Sequence, residues 1–375
     1  MVLLSIIIPT KNRYTCLFPI LESLTKYIIR EDIEFIIQDN SDNNRSAITF
    51  FQNFKDKRCH YYYISTPLSI ADNTIQAINH VRGKYVTFIG DDDLISPYIA
   101  NIVDKMESMA AEALIFNCGY YWWNSVKFEK ENYYKRKEAL WIPSTISRKF
   151  IKKNSSDELN LLLNNGGTSI FNLPRFYHGI ITLEILNKIK QKVGTYLIGS
   201  CPDIAFATAI ALVIDQYYYL DYPVTIYGAS SNSGGGLSAN NRHYGKIEDQ
   251  KFLKKNILEV WDINIPRIWS ELTIYSETVS EVLREFKCHR KLNYNALYAS
   301  MIINEFFLIN YLKPTLNQYY HKHRIELFTF IKVTIKKLAG KINRNLKFKL
   351  KKHKYNVFIM PNVDSCMKKL LEYKF

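Results

Sequence analysis

The chain has 375 residues, 47% of them hydrophobic and 23% charged, a composition that excludes a disordered chain and a membrane-embedded one. The formal net charge is +15, and the excess is local: between His321 and Tyr355, ten Lys and two Arg face the single acid Glu326. That stretch calls for an anionic partner, whether a membrane surface, a nucleic acid or an acidic substrate. Six cysteines lie scattered with no C-x-x-C pairing, so they read as free thiols in a reducing compartment without a zinc site.

The first third alternates strand and helix patterns. Leu3–Ile8 is a continuous apolar strand, too short and without the basic flank of a signal core. Leu17, Ile20, Leu21, Leu24 and Ile28 give Tyr14–Ile29 a helical spacing. Strands follow at Glu34–Gln38, His60–Ile64, Lys84–Ile89 and Glu112–Cys118, with helices at Arg45–Phe54, Ile70–Val81 and Pro97–Met109 between them. The alternation predicts an α/β fold with a mostly parallel sheet and helices on both faces, whose ligands bind beyond the carboxyl ends of the strands.

Three strand ends carry polar clusters: Thr10-Lys11-Asn12-Arg13, Asp39-Asn40-Ser41-Asp42 and Asp91-Asp92-Asp93. Adjacent carboxylates at the end of a buried strand repel unless a cation neutralises them, and Mg²⁺ or Mn²⁺ prefers oxygen ligands shared with substrate phosphates. A solvated acidic turn is the bland alternative, and the company of the other two strand ends favours a site.

From Tyr120 to about Pro174 the pattern becomes aromatic and charged. Tyr120-Tyr121-Trp122-Trp123 reads either as a lid packed on the sheet edge or as a stacking platform for a sugar or base. Helices are expected near Leu183–Lys190 and from Pro202, and a strand at Gln216–Tyr227. Gly228–Asn241 reads as a loop whose Gly234-Gly235-Gly236 could close over a ligand. Beyond it the chain reads as helical and Lys-rich. Phe328, Ile331, Ile335, Leu338 and Ile342 form an apolar stripe flanked by lysines, suited either to docking on the rest of the protein or to lying on anionic lipid over residues 325–355. Nucleic acid is disfavoured as the partner because no recognition motif accompanies the charge.

Taken together, Ser5-Ile6-Ile7-Ile8-Pro9-Thr10-Lys11-Asn12-Arg13, Ile37-Gln38-Asp39-Asn40-Ser41 and Phe88-Ile89-Gly90-Asp91-Asp92-Asp93 resemble the family 2 glycosyltransferases, and among them bacterial O-antigen and capsule sugar transferases such as abequosyltransferases. The resemblance implies a GT-A, Rossmann-like fold over residues 1–242, with a nucleotide-sugar-binding half at 1–119 and an acceptor half at 120–242, followed by a basic, mainly helical region at 243–375. It implies an inverting, metal-dependent transfer of a sugar from a nucleotide-sugar donor to a hydroxyl of a polyprenyl-diphosphate-linked glycan, at the cytoplasmic face of the membrane.

By the same resemblance Pro9, Thr10 and Asp39 contact the nucleoside, and Asn12, Arg13 and Asn73 join them on the donor. Asp92 and Asp93 hold Mn²⁺ or Mg²⁺, with His243 a further metal ligand, while Asp91 or Asp93 faces the ribose or sugar. Asp203, in Cys201-Pro202-Asp203, is the catalytic base; a helix-capping role for it is the plain alternative. His178 lies near the acceptor.

Two positions depart from the family pattern. Gly90 stands where Asp-x-Asp-Asp has its first acid, and Asp72-Asn73 replaces an Arg-Asn pair, leaving Arg82 or Arg13 to meet the diphosphate. The rival functions are a non-catalytic scaffold that binds nucleotide-sugar, membrane or nucleic acid, and a sugar-nucleotide-synthesising nucleotidyltransferase. The second would need a Gly-rich phosphate loop after the first strand, and none is present.

Overall fold

The computed structural model describes the chain apart from residues 129, 133–134, 239–243, 251–252, 254–255 and 351–353, and the side chains of 344–350. His243, expected as a metal ligand, lies outside the described residues.

Four strands, β1 (Leu4–Thr10), β2 (Ile33–Asp39), β3 (Cys59–Tyr63) and β4 (Tyr85–Phe88), form the parallel half of the sheet in the order β3-β2-β1-β4. Their connections α1 (Tyr14–Tyr27), α2 (Arg45–Asn53) and α3 (Ile70–Ile78) are right for such crossovers in length and pattern. β1, β2 and β4 are apolar on both faces because both are covered. One face packs on α1 and on α4 (Ile99–Ser108); the other packs on α3 and on the later helices α6 (Leu183–Val193) and α7 (Pro202–Ala211).

The remainder of the sheet is mixed rather than parallel. β9 (Gly179–Thr182) inserts antiparallel between β4 and β6 (Ala113–Trp122), and β7 (Ala139–Pro143) continues antiparallel from β6. The aromatic segment after Tyr120 is thus more ordered than its composition suggests, with β7, β8 (Phe150–Asn154) and α5 (Ser155–Asn164) inside it.

β10 (Gln216–Ala229) is what builds the site. It runs parallel to β6, pairs antiparallel with β8 at its start and with the two-residue β5 (Leu94–Ile95) near its end, and shifts register on either side of Pro223. Its last residues thereby arrive beside the acidic triplet. Of the loop expected at Gly228–Asn241, the first two residues end β10 and Gly234–Ser238 form a short helix, α8.

α7 has almost no polar side. Ala205, Phe206, Ala209 and Ile210 face the sheet core, while Ile204, Ala207 and Ala211 face a second, helical core. That core is built with α10 (Glu271–Glu285), α11 (Tyr294–Asn304) and α12 (Ile309–Lys322), preceded by the short α9 (Ile257–Val260).

The long α13 (Glu326–Leu350) packs on α11, and then the chain returns. β11 (Tyr355–Ile359) pairs antiparallel with β7, and α14 (Val363–Leu371) packs on α1, burying Val363, Cys366, Met367 and Leu370 in the first core. Segment 355–371 therefore crosses the boundary expected at 242/243, and the region after it is mainly helical, as expected, with the one strand β11. β11 is swept into the helical reading because five residues after a Lys-rich run carry too little periodicity to separate strand from helix.

Candidate active site

The three polar strand ends converge. Asn12 adopts a left-handed conformation (φ 59°), which Asn tolerates, and ties the first loop to the second. Its backbone N–H donates to Ser41 Oγ (2.7 Å) and its side chain exchanges hydrogen bonds with Asp42 (3.0 Å each way). Pro9 and Thr10 end β1, and Thr10 Oγ1 donates to Asp91 (2.5 Å).

Asp39 is fully buried at the end of β2. Its Oδ2 accepts from Tyr14 and Tyr61 (2.6 Å each), and its Oδ1 from the Ser41 N–H (2.8 Å). Asn73 projects from α3 with Nδ2 3.5 Å from the Gln38 carbonyl; its Oδ1 and both amide atoms of Gln38 are buried without a hydrogen-bond partner.

The triplet divides into three different environments. Asp91 is closed off by Arg13, with Nη2 2.5 Å from Oδ1 and Nε 3.2 Å from Oδ2. Burial pushes its pKa up to about 7, against the pull of Arg13 and with a further push from Asp92. Burial opposes the charge on Arg13, but Asp91 and Asp92 outweigh it and hold the guanidinium charged.

Asp93 is saturated. Its oxygens accept from the N–H groups of Gly90 (2.6 Å) and Gly228 (2.7 Å) and from Tyr177 (3.1 Å), and its Oδ2 lies 3.0 Å from His178 Nε2. Burial raises its pKa, but His178 and the backbone N–H groups override that and leave it below the ordinary carboxylate value. His178 itself is fully buried, with φ 51° and Nδ1 2.7 Å from Thr225 Oγ1.

Asp92 alone of the three lines the cavity. Its Oδ2 accepts from the N–H and hydroxyl of Ser230 (3.0 and 2.7 Å), and Arg13 Nη1 stands 3.6 Å away. Burial raises its pKa while Arg13 opposes.

That cavity has a volume of about 1070 Å³. It is lined by Arg13, Gly90 and Asp92, by Arg175, Tyr177 and Asp203, and by the aromatic side chains of Tyr120, Trp122, Trp141, Tyr227 and Tyr355. Strand alternation resolves the aromatic tetrad: Tyr121 and Trp123 are buried in the core, whereas Tyr120 and Trp122 line the cavity. The tetrad thus divides between packing in the core and lining the cavity. Tyr120 stacks on Tyr227 (5.6 Å, 20°) and meets Tyr355 edge-on (5.8 Å, 73°), so the returning C-terminal strand completes the wall.

Asp203 stands in the first turn of α7, after Pro202 at the helix start. Burial is the main cause that pushes its pKa up to about 6; the Asp93 charge adds to this and Arg175 opposes it. Arg175 Nε and Nη1 approach the carbonyl oxygens of His178 and Phe171 (3.4 Å each), and among the described residues it has no carboxylate ion-pair partner. Arg175 and Ser230 carry no local sequence signal; only the fold brings them to the triplet. Arg82, the alternative diphosphate contact, is at the wrong end of the sheet. It binds Glu34 at the start of β2 (Nε to Oε2, 2.7 Å), whereas the site lies at the strand ends.

Residues 5–169 match the family model for Glycosyl transferase family 2. They are a family 2 glycosyltransferase domain. The matched glycosyltransferase segment contains Thr10, Arg13, Asp39, Asn73 and the triplet, and ends before Arg175, His178, Asp203 and Ser230. No curated protein sequence matches the chain.

Among solved structures, similarity is found to the 1–349 fragment of TarS from S. aureus in complex with UDP-GlcNAc, at 15% identity and a TM-score of 0.45, covering 63% of this chain and 60% of that one. Another crystal structure of the TarS 1–349 fragment aligns at 14% identity and a TM-score of 0.43, over 90% and 92% of the two chains. A mannosyltransferase, PcManGT from Pyrobaculum calidifontis, in complex with GDP-Man and Mn²⁺, aligns at 13% identity and 0.40, over 90% and 87%. The chain thus spans under two thirds of the first of these structures.

Among the described residues, no group of three His, Cys, Asp or Glu side chains could hold a metal alone. Asp92 nevertheless offers a hard oxygen at the cavity, and one carboxylate completed by diphosphate oxygens and water is an ordinary Mg²⁺ environment. The residues fit a metal that arrives with its nucleotide.

Proposed function

We propose that the protein transfers a glycosyl group from a nucleotide-sugar to a hydroxyl of a lipid-linked bacterial glycan, with inversion at the anomeric carbon. The observation that carries this reading is that Asp92, Arg13, Asp203 and a set of aromatic side chains line one cavity.

In this reading Asp39 and the Pro9–Asn12 turn hold the nucleoside, with Asn73 beside them. Asp92 binds Mn²⁺ or Mg²⁺ together with the diphosphate; when bound, the cation neutralises the charge that develops on the leaving nucleoside diphosphate. Asp91 and Asp93 shape the turn that presents Asp92, and Arg13 offsets the acids. Asp203 takes the proton of the acceptor hydroxyl as that oxygen attacks the anomeric carbon from the face opposite the leaving group. A carboxylate with a pKa near 6 is charged at neutral pH and still basic enough for that role. Tyr120 and Trp122 stack the acceptor sugars.

A panel of nucleotide-sugars with Mn²⁺ or Mg²⁺, scored for release of nucleoside diphosphate and for transfer, tests the assignment. One donor is expected to dominate, and Asp92→Asn is expected to lose turnover and the response to added metal. Full activity in both Asp92→Asn and Asp203→Asn would overturn the reading.

A further inference from the structure

We infer that the outward face of α13 is a docking surface for an anionic lipid bilayer. A surface helix ordinarily turns its apolar stripe toward the protein. α13 does not. It docks on α11 through a different side, on which Phe330, Val333 and Thr334 are half-buried and two lysines point inward. Lys337 Nζ donates to Asn165 Oδ1 (3.3 Å), and Lys341 Nζ to the Ile303 carbonyl and Asn304 Oδ1 (2.9 and 3.0 Å).

The stripe is left facing outward: Phe328 is 72% exposed, Ile331 48%, Ile335 64%, Leu338 47% and Ile342 54%. The corner that Lys341 fastens to the helix carries two more exposed rings, Phe306 (63%) and Phe307 (59%). Isolated exposed apolar residues need no explanation, but a row of them along one helix does.

Charge selects the occupant. Lys332 and Lys336 are exposed beside the stripe, and more Lys and Arg follow from 344 to 354. The one acid of the helix, Glu326, is turned inward, where its Oε2 accepts from Tyr319 (2.7 Å) and Asn295 (3.1 Å). Apolar side chains bordered by cations, without exposed carboxylates on the helix, match acyl chains beneath anionic headgroups. Ile and Leu offer nothing to a nucleic-acid backbone. Among the described residues no helix is long and apolar enough to cross a membrane, so the contact is one of lying on the surface.

Flotation of the full chain with vesicles tests this, using phosphatidylcholine alone and phosphatidylcholine with about 30% phosphatidylglycerol. The protein is expected to float with the anionic vesicles, about tenfold less with neutral ones, and to be released by salt. Ile335→Asp/Leu338→Asp should abolish flotation, and Lys332→Glu/Lys336→Glu should weaken it by about fivefold per charge. Both pairs are exposed, so circular dichroism and thermal melting should be unchanged. Absence of flotation, flotation insensitive to the apolar pair, or a wild-type dimer that Ile335→Asp/Leu338→Asp converts to monomer would each overturn the proposal. No nucleotide or sugar enters the measurement, so its outcome is separate from that of the transferase reading.

Discussion

Arg13 grips Asp91 through two nitrogens, with Nη2 2.5 Å from Oδ1 and Nε 3.2 Å from Oδ2, and extends Nη1 to within 3.6 Å of Asp92. Two buried acids thus share one cation that belongs to the protein, so the triplet is held together before any metal arrives. Arg13→Ala leaves both buried carboxylates without their cation and is expected to destabilise the fold by about 3–5 kcal/mol, read as a lowered denaturation midpoint. Arg13→Lys should recover only part of that loss, because an ammonium cannot reproduce the forked contact.

Asp203→Asn removes the proposed base while keeping the side-chain shape. Turnover is expected to fall by about 10²–10⁴ with little change in donor affinity measured by titration with the nucleoside diphosphate. In the wild type, kcat/KM should rise with pH through a limb near 6, the value to which Asp203 is pushed, because the base acts in its deprotonated form. The residual activity of the variant should lack that limb.

Gly228 is where β10 passes the triplet, and a Cβ there would stand only 1.7 Å from the carbonyl oxygen of Asp92. Gly228→Ala must push the strand away, breaking the N–H bond to Asp93 and displacing Ser230 from Asp92. Loss of activity with a lowered melting temperature is expected, and an active variant with wild-type stability would contradict this packing.

Trp122→Ala and Tyr120→Ala remove ring faces from the cavity wall without touching the donor end. Each should raise the acceptor KM by about tenfold, in the range of one lost stacking contact, and leave the donor KM unchanged. A matching rise in donor KM would place the wall on the donor side instead.

Glu277 is buried on α10; its Oε2 accepts from the Asp262 N–H (2.8 Å), and its Oε1 has no hydrogen-bond partner. Burial pushes its pKa up to about 8 from an ordinary 4.5. The folded state therefore binds more protons than the unfolded one across that interval, and stability should fall as pH rises from 4.5 toward 8. Glu277→Gln should flatten the dependence and add roughly 1–3 kcal/mol at pH 8–9, measured by denaturant unfolding.

The parts legible in advance are those whose signals are local. The alternation of strand and helix patterns up to Cys118 follows from side-chain periodicity, and the three polar strand ends follow from where each apolar run stops. The parallel pairing among β1 to β4 came with them, though not their order in the sheet. Missing were β9, which reverses direction inside the sheet, and β11, which joins it from the far end of the chain. Neither is long enough to announce itself against its flanks.

The sequence alone determined that this protein carries an α/β domain with acids at the end of its fourth strand, because each such feature is set within a few residues of itself. Only the tertiary structure decided which acid meets the cavity. That choice depends on Ser230, 138 residues from Asp92, on Gly228 and His178 closing around Asp93, and on Arg13 closing around Asp91. It also decided which side of α13 faces outward, because a helix with two competing faces is oriented by what it packs against.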